Sequence, residues 1–310
     1  MKTLTLKSKF TRSLLIEGKS KVTAGDYSRH IDVFLDYMEK NGLEEMTDVT
    51  KNTLKGFQTY LFTKHKSRAG KKLKLNSQHN ILCSIKSFFC FLIQNDHIMV
   101  DPASSITLPK IKKSLPKDIL TEKEMKRLLE TPDTSKARGY QERVVIELLY
   151  GTGIRNSEAR FIKLVEVDLD DRVIFISNGK GGKDRVVPVN KILRKYLKKF
   201  INDKRPLLIG NVDTEYLLVG VGDKAWGKDR ILKLVQKYVK KANIRKHITT
   251  HSLRHTCASH LQKNNAPIRV IQEILGHESL NTTQIYTHVD ASQLKDVIDK
   301  FHPRRDVEGE

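Results

Sequence analysis

Apolar residues along this chain recur at helical spacing far more often than in alternation. Tyr27, Ile31, Phe34, Leu35 and Met38 form one stripe that Asn41 and Gly42 end, which predicts a helix from Thr23. Leu54, Phe57 and Leu61 mark a second. Asn76 opens a third and strongly apolar one through Ile81, Ile85, Phe88, Phe89 and Leu92. Together they predict a small all-helical domain over residues 1–100. Pro102, Pro109 and Pro116 then forbid regular helix, while Lys110, Lys112, Lys113 and Lys117 keep the stretch solvated, so residues 101–117 read as a basic linker. A second domain, 118–310, opens on Thr121-Glu122-Lys123-Glu124, the pattern of a capping box.

Within that domain, Val144 to Tyr150 is an apolar helix that stops at Gly151-Thr152-Gly153. Val173 to Ile176 and Val186 to Val189 are strand-like and flank a glycine-rich, cationic tip, which predicts a hairpin. The tip is no phosphate-cradling Walker loop: its lysine is followed by glycine, and a strand rather than a helix comes next. Ile192 to Phe200 and Ile231 to Lys241 read as lysine-rich helices. Leu253, Cys257 and Leu261 sit four apart, then Val270, Ile271, Ile274 and Leu275 continue helically until Gly276 stops them as a C′ glycine would. A last amphipathic segment carries Leu294, Val297, Ile298 and Phe301. The expected class is mainly α with a small β-sheet, without internal repeats.

A length of 310 residues suits two domains, and a hydrophobic fraction of 38% with 30% charged residues describes a soluble globular protein. The formal charge of +21 changes the picture, because it calls for a polyanionic partner, nucleic acid first. Lys64, Lys66, Arg68, Lys71 and Lys72, with Lys110, Lys112 and Lys113 of the linker, are candidate phosphate contacts; a solvated loop is the competing reading. No apolar run is long enough to span a membrane, and the first residues carry charge too early for a signal peptide. A cytoplasmic, nucleoid-associated protein is expected. Cys83, Cys90 and Cys257 lie in apolar helical patterns and read as small core residues rather than disulfides.

The chemistry-bearing candidates are Arg155, Lys180, His251, Arg254, His277 and Tyr286. His251 and Arg254, three apart, share a helix face; His277 lies just past a helix end, and Tyr286 follows nine residues later. Two arginines, two histidines, a lysine and a tyrosine suit holding a phosphate while a hydroxyl attacks it. Taken alone, Tyr286 would read as a packed aromatic and Lys180 as a surface charge beside Lys183 and Arg185. A zinc site on His251, His255 and His260 is disfavoured, since spacings of four and five share no one face and no cysteine or carboxylate completes a set.

Four segments, in this order, resemble the tyrosine recombinases, also called the phage integrase family: Gly151-Thr152-Gly153-Ile154-Arg155-Asn156-Ser157-Glu158, Gly179-Lys180-Gly181-Gly182-Lys183-Asp184-Arg185, His251-Ser252-Leu253-Arg254-His255, and Leu275-Gly276-His277-Glu278-Ser279 with Tyr286. Each is weak alone; the four at these separations are specific. The resemblance runs from about residue 20 onward and is most like the Xer branch or a small mobile-element integrase.

It implies a helical core-binding, SAM-like domain and a mixed α/β catalytic domain that close on duplex DNA as a C-shaped clamp. It also implies a site-specific recombinase in which Tyr286 attacks the scissile phosphate and forms a 3′-phosphotyrosyl link. Arg155 and Arg254 would fork onto the non-bridging oxygens. His251 and His277 would donate to those oxygens or accept the tyrosine proton, and Lys180 would protonate the departing 5′-oxygen. Glu158 would orient the active-site cations, and Lys183 and Arg185 would contact DNA. No metal, nucleotide or other cofactor is implied. The implied partners are double-stranded recombination sites and a homo-tetramer, or one shared with a paralogous recombinase, that works through a Holliday junction. The tail from about Ala291 would be exchanged between subunits, and the lack of an N-terminal arm-binding domain favours a simple two-site system. Type IB topoisomerases use a similar set of residues; the tail and the His-Ser-Leu-Arg-His form argue against that reading, and a binding protein without catalysis would have no need of all six.

Overall fold

The computed structural model of the chain describes residues 2–67, 70–111, 118–177, 184–210, 213–222, 224–276 and 291–304. The chain divides into two compact units, Met1–Lys113 and Ser114–Glu310.

The first unit is built on α1 (Lys2–Ile16), α2 (Lys21–Lys40), α3 (Lys51–Thr63) and α4 (Leu75–Gln94). Its core joins Ile31, Phe34, Leu54, Phe57, Ile85 and Phe89, each shielded from solvent. Helix α1 was not expected from the pattern, because lysine, threonine and serine break up its short stripe. Tertiary packing supplies what periodicity lacked: Phe10 and Leu14 are buried, and the Phe10 ring lies 5.3 Å from Phe88 and 5.4 Å from Phe91. Helix α2 starts ahead of Thr23 because Ser20 caps it, accepting from the Thr23 amide at 3.1 Å. Two cysteine expectations need correction. Cys90 is exposed and Cys83 only half-buried, so Cys257 alone is a core thiol.

The proline-punctuated stretch is also less of a tether than its composition suggests. Pro102–Ser105 winds one 3₁₀ turn capped by Asp101, and Pro102, Ala103 and Ile106 are buried in the first unit. Gln58 donates to the Thr107 carbonyl at 2.9 Å and His79 Nδ1 to that of Pro109 at 3.2 Å. Proline excludes helix without excluding packing.

The second unit begins with α5 (Glu122–Glu130), where Thr121 and Glu124 form the expected capping box. It is organised around α6 (Ala137–Thr152), buried on nearly every side from Gly139 onward. Such a helix tolerates charge only in pairs, and Arg143 meets Glu147 at 2.7 Å with Arg304 completing the cluster at 2.6 Å. After α7 (Asn156–Phe161) come β1 (Val167–Asp168), β2 (Val173–Ile176) and β3 (Arg185–Pro188), an antiparallel sheet in that order with Ile174 opposite Val187 and Ile176 opposite Arg185. Then follow α8 (Lys191–Lys199), α9 (Pro206–Ile209), α10 (Arg230–Lys241), α11 (Thr250–Lys263), α12 (Ile268–Leu275) and α13 (Ala291–Phe301). The fold is thus mainly helical with one small sheet. Leu294 and Ile298 of α13, expected to need a partner's surface, are buried in their own unit's core. No described helix is long and apolar enough to cross a membrane.

Candidate active site

Three helices meet at Gly153. Helix α6 closes there with φ +62°, a left-handed conformation that glycine adopts without strain. A Cβ at this position would stand 2.5 Å from Leu275 Cδ2 of α12 and 3.5 Å from Cys257 Sγ of α11. Glycine is therefore required twice over, by conformation and by space. The Gly153 carbonyl accepts from Arg254 Nη1 at 2.7 Å.

Arg254 stands on α11, which Thr249 starts by accepting from the Ser252 amide at 3.2 Å. The arginine is buried, and its Nη2 also donates to the Leu275 carbonyl. Burial, and then the neighbouring Arg155 charge, lower its pKa to about 10, so it stays cationic at neutral pH. One turn earlier, His251 keeps an exposed edge. Partial burial and the charges of Arg254, His255 and Arg155 hold its pKa below the usual histidine value, which leaves a neutral imidazole able to accept a proton.

Helix α12 ends on Gly276, again left-handed at φ +62°, and the Gly276 carbonyl accepts from Arg155 Nη2 at 2.8 Å. Both guanidiniums thus reach the C-terminal turn of one helix, where the free carbonyls favour cations. Arg155 itself is the N-cap of α7, and Glu158, one turn on, accepts from the Arg155 amide at 2.7 Å and from Arg155 Nη1 at 2.9 Å.

Arg185, the first residue of β3, approaches Glu158 from the other side. Its Nη1 and Nη2 donate to Oε1 and Oε2, each at 2.8 Å, in a bidentate pair. Burial alone would raise the Glu158 pKa, but the Arg185 fork, the Arg155 amide and the Arg155 side chain outweigh it and hold the carboxyl at about 2. The four groups Arg155, Arg185, Arg254 and Glu158, whose side chains are mostly shielded from solvent, leave two net positive charges. That excess suits a phosphodiester gaining a second negative charge as a nucleophile adds to it.

Of the six expected catalytic residues, Arg155, His251 and Arg254 are brought together here. Lys180, His277 and Tyr286 lie outside the described residues. Glu158, expected to orient the active-site cations, accepts from the Arg155 amide and guanidinium. Arg185, a candidate DNA contact in the sequence, commits its fork to Glu158. No local signal could have revealed this, because the pairing spans 27 residues of chain. Lys64, Lys66, Lys71, Lys72 and Lys110 are exposed. Lys66 and Lys72 pair as an isolated antiparallel bridge, and the Lys72 ammonium sits 4.3 Å above the Phe62 ring. Arg68, Lys112, Lys113 and Lys183 lie outside the described residues. His260 is no ligand: it is buried, with its Nε2 donating to the Leu120 carbonyl and its Nδ1 accepting from Tyr150, both at 2.8 Å. Among the described residues no three histidine, cysteine or carboxylate side chains converge as a metal set would.

Residues 118–293 match the model of the phage integrase family, and residues 8–108 match that of the phage integrase SAM-like domain. The chain belongs to the phage integrase family, and within it to the Xer branch of the tyrosine recombinases. It is 38% identical over 293 residues to tyrosine recombinase XerC 2 of Ralstonia nicotianae, covering 94% of this chain and 84% of that one. It is 35% identical over 301 residues to tyrosine recombinase XerD of Staphylococcus aureus, covering 97% and 99%. In fold it resembles the XerH recombinase bound to a palindromic difH substrate after cleavage, with TM-score 0.70, 22% identity, and 96% and 84% of the two chains covered. It also resembles a lambda integrase tetramer bound to a Holliday junction, with TM-score 0.66, 17% identity, and 91% and 79% covered.

Proposed function

We propose that this protein is a site-specific DNA recombinase in which Tyr286 attacks the scissile phosphate and stays linked to the 3′ end while strands exchange. The observation that carries the reading is the convergence of Arg155 and Arg254 on the last turn of α12, immediately before His277 in the chain. Their forks receive the non-bridging oxygens, and each such donor contributes roughly 3 kcal/mol to lowering the barrier. A phenol with a pKa of about 10 needs a base or a cationic surround to attack at neutral pH. The neutral His251 supplies the one and the two spare positive charges supply the other. His277 assists as a second donor or base, and Lys180 delivers the proton to the 5′-oxygen. The bond energy is kept in the phosphotyrosine, so rejoining needs neither metal nor nucleotide.

Duplex recombination sites are the partners, and the lysines of the α3–α4 turn with Lys110, Lys112 and Lys113 track the backbone. By likeness to the tetrameric lambda complex, four subunits act at a Holliday junction. Passing α13 to a neighbour would expose its Leu294 and Ile298 seat to the helix of another copy. The chain works where DNA is, in the nucleoid.

The test is covalent capture on a nicked duplex carrying the site that the protein selects from a pool of random duplexes. The wild type forms an SDS-stable adduct in EDTA; Tyr286→Phe binds with similar affinity and forms none. An adduct that persists in Tyr286→Phe removes Tyr286 from the role, and one that requires added magnesium overturns the arginine–histidine assignment.

A further inference from the structure

Glu158 is saturated. A carboxylate offers about four acceptor positions, and here Oε1 takes Arg155 Nη1 and Arg185 Nη1 while Oε2 takes the Arg155 amide and Arg185 Nη2. Its side chain is only 5% exposed, and that of Arg185 14%. A carboxylate facing Arg155 alone would draw it into the usual bidentate pair, consuming both arms of the fork. With Arg185 seated on the carboxylate's other edge, Arg155 gives Glu158 one Nη arm and turns the other to the Gly276 carbonyl. Two of its five N–H groups are then used and three remain.

The opposite end of Arg185 is fixed as well. A Cβ built on Gly276 would stand 3.1 Å from Arg185 Cδ and Nε, so the guanidinium lies flat on the turn that ends α12. The start of β3, the α7 carboxylate and the α12 terminus are thereby pinned to one another through this side chain.

We infer that Arg185 is a positioning residue for DNA cleavage: by filling Glu158 it keeps Arg155 from being captured in a two-armed ion pair and leaves its remaining donors aimed at the scissile phosphate. The inference rests on the recombinase reading above. It assigns to Arg185 an effect transmitted through Glu158 to Arg155, with no contact to DNA of its own.

The experiment compares Arg185→Met and Arg185→Lys with the wild type on two suicide duplexes bearing the selected site. One carries an ordinary scissile phosphate and the other a methylphosphonate, whose neutral centre gains one negative charge rather than two, so that Arg254 alone can meet it. On phosphate, Arg185→Met is expected to lose about 10²-fold in cleavage rate, the scale of a misplaced catalytic group, with Arg185→Lys between it and the wild type. On methylphosphonate all three are expected within about threefold of one another, as is Arg155→Ala, because the function being positioned is no longer required. Equal losses on both substrates would mean that Arg185 only supports folding, and an unimpaired Arg185→Met would mean that Arg155 is held without it; either result overturns the inference. Should Arg185→Met not fold, the two-substrate ratio of Arg185→Lys decides in its place. A wild-type protein that forms no adduct on phosphate fails the recombinase reading itself, and an Arg155→Ala defect undiminished on methylphosphonate fails the role of Arg155. Both are separable from a failure confined to Arg185.

Discussion

Replacing Glu158 by glutamine keeps the shape of the side chain and removes its charge, so the consequence follows from the protonation equilibrium alone. The carboxyl is held at about 2 instead of its ordinary 4.5. At 1.36 kcal/mol per pH unit this linkage contributes about 3 kcal/mol to folding. The group is almost fully buried, so solvent screening removes little of it. Because the folded-state pKa is depressed, the stabilisation is complete above pH 4.5 and is lost as pH falls toward 2. Trp226 provides the assay: it is the sole tryptophan of the chain, is 1% exposed, and reports unfolding of the Ser114–Glu310 unit alone. Urea titrations followed by its fluorescence should put Glu158→Gln about 3 kcal/mol below the wild type at pH 7, since the neutral amide loses the charge that Arg155 and Arg185 stabilise. The gap should shrink by more than half on going to pH 3. A gap that is the same at pH 7 and pH 3 would refute the reasoning, because a loss caused only by altered packing has no proton to lose.

Two further outcomes are expected. Lys180→Ala should slow cleavage roughly 10²–10⁴-fold, the usual contribution of a positioned acid, and a bridging 5′-sulfur, which leaves without a proton, should restore most of the rate. Rescue in Lys183→Ala instead would move the acid three residues along. Ile298→Ala in α13, a fully buried position, should lower the stability read by Trp226 by roughly 2–5 kcal/mol in the monomer; an unmoved transition would mean that α13 does not rest on its own unit in solution.

Much of this protein was legible from its sequence because the signals are local. The 3.6-residue stripes of α2, α3, α4 and α10, the Thr121–Glu124 box, the glycine that ends α12 and the two strands of the hairpin each depend on residues within one turn or one strand of each other. Arg155, His251 and Arg254 could be nominated because their motifs are short and ordered, and the charge of +21 named the kind of partner before any geometry. What local pattern cannot carry is partnership across the chain. Helix α1 has a thin stripe and becomes a helix of the first unit through Phe10 packing on Phe88 and Phe91. Three prolines described a tether, yet Pro102 and Ile106 are buried, since proline restricts the backbone without making its side chain polar. Cys90 sat in an apolar run and faces solvent, because helix periodicity leaves open which edge of a broad stripe the neighbours cover. Arg185 was one cation among several in a basic loop. Only the tertiary fold, by placing a carboxylate 27 residues away within 2.8 Å of both its arms, revealed that it is paired with Glu158. The physical reason is burial: a charge in water is free to serve any partner, while a charge taken out of water must be matched by the particular group the fold brings to it.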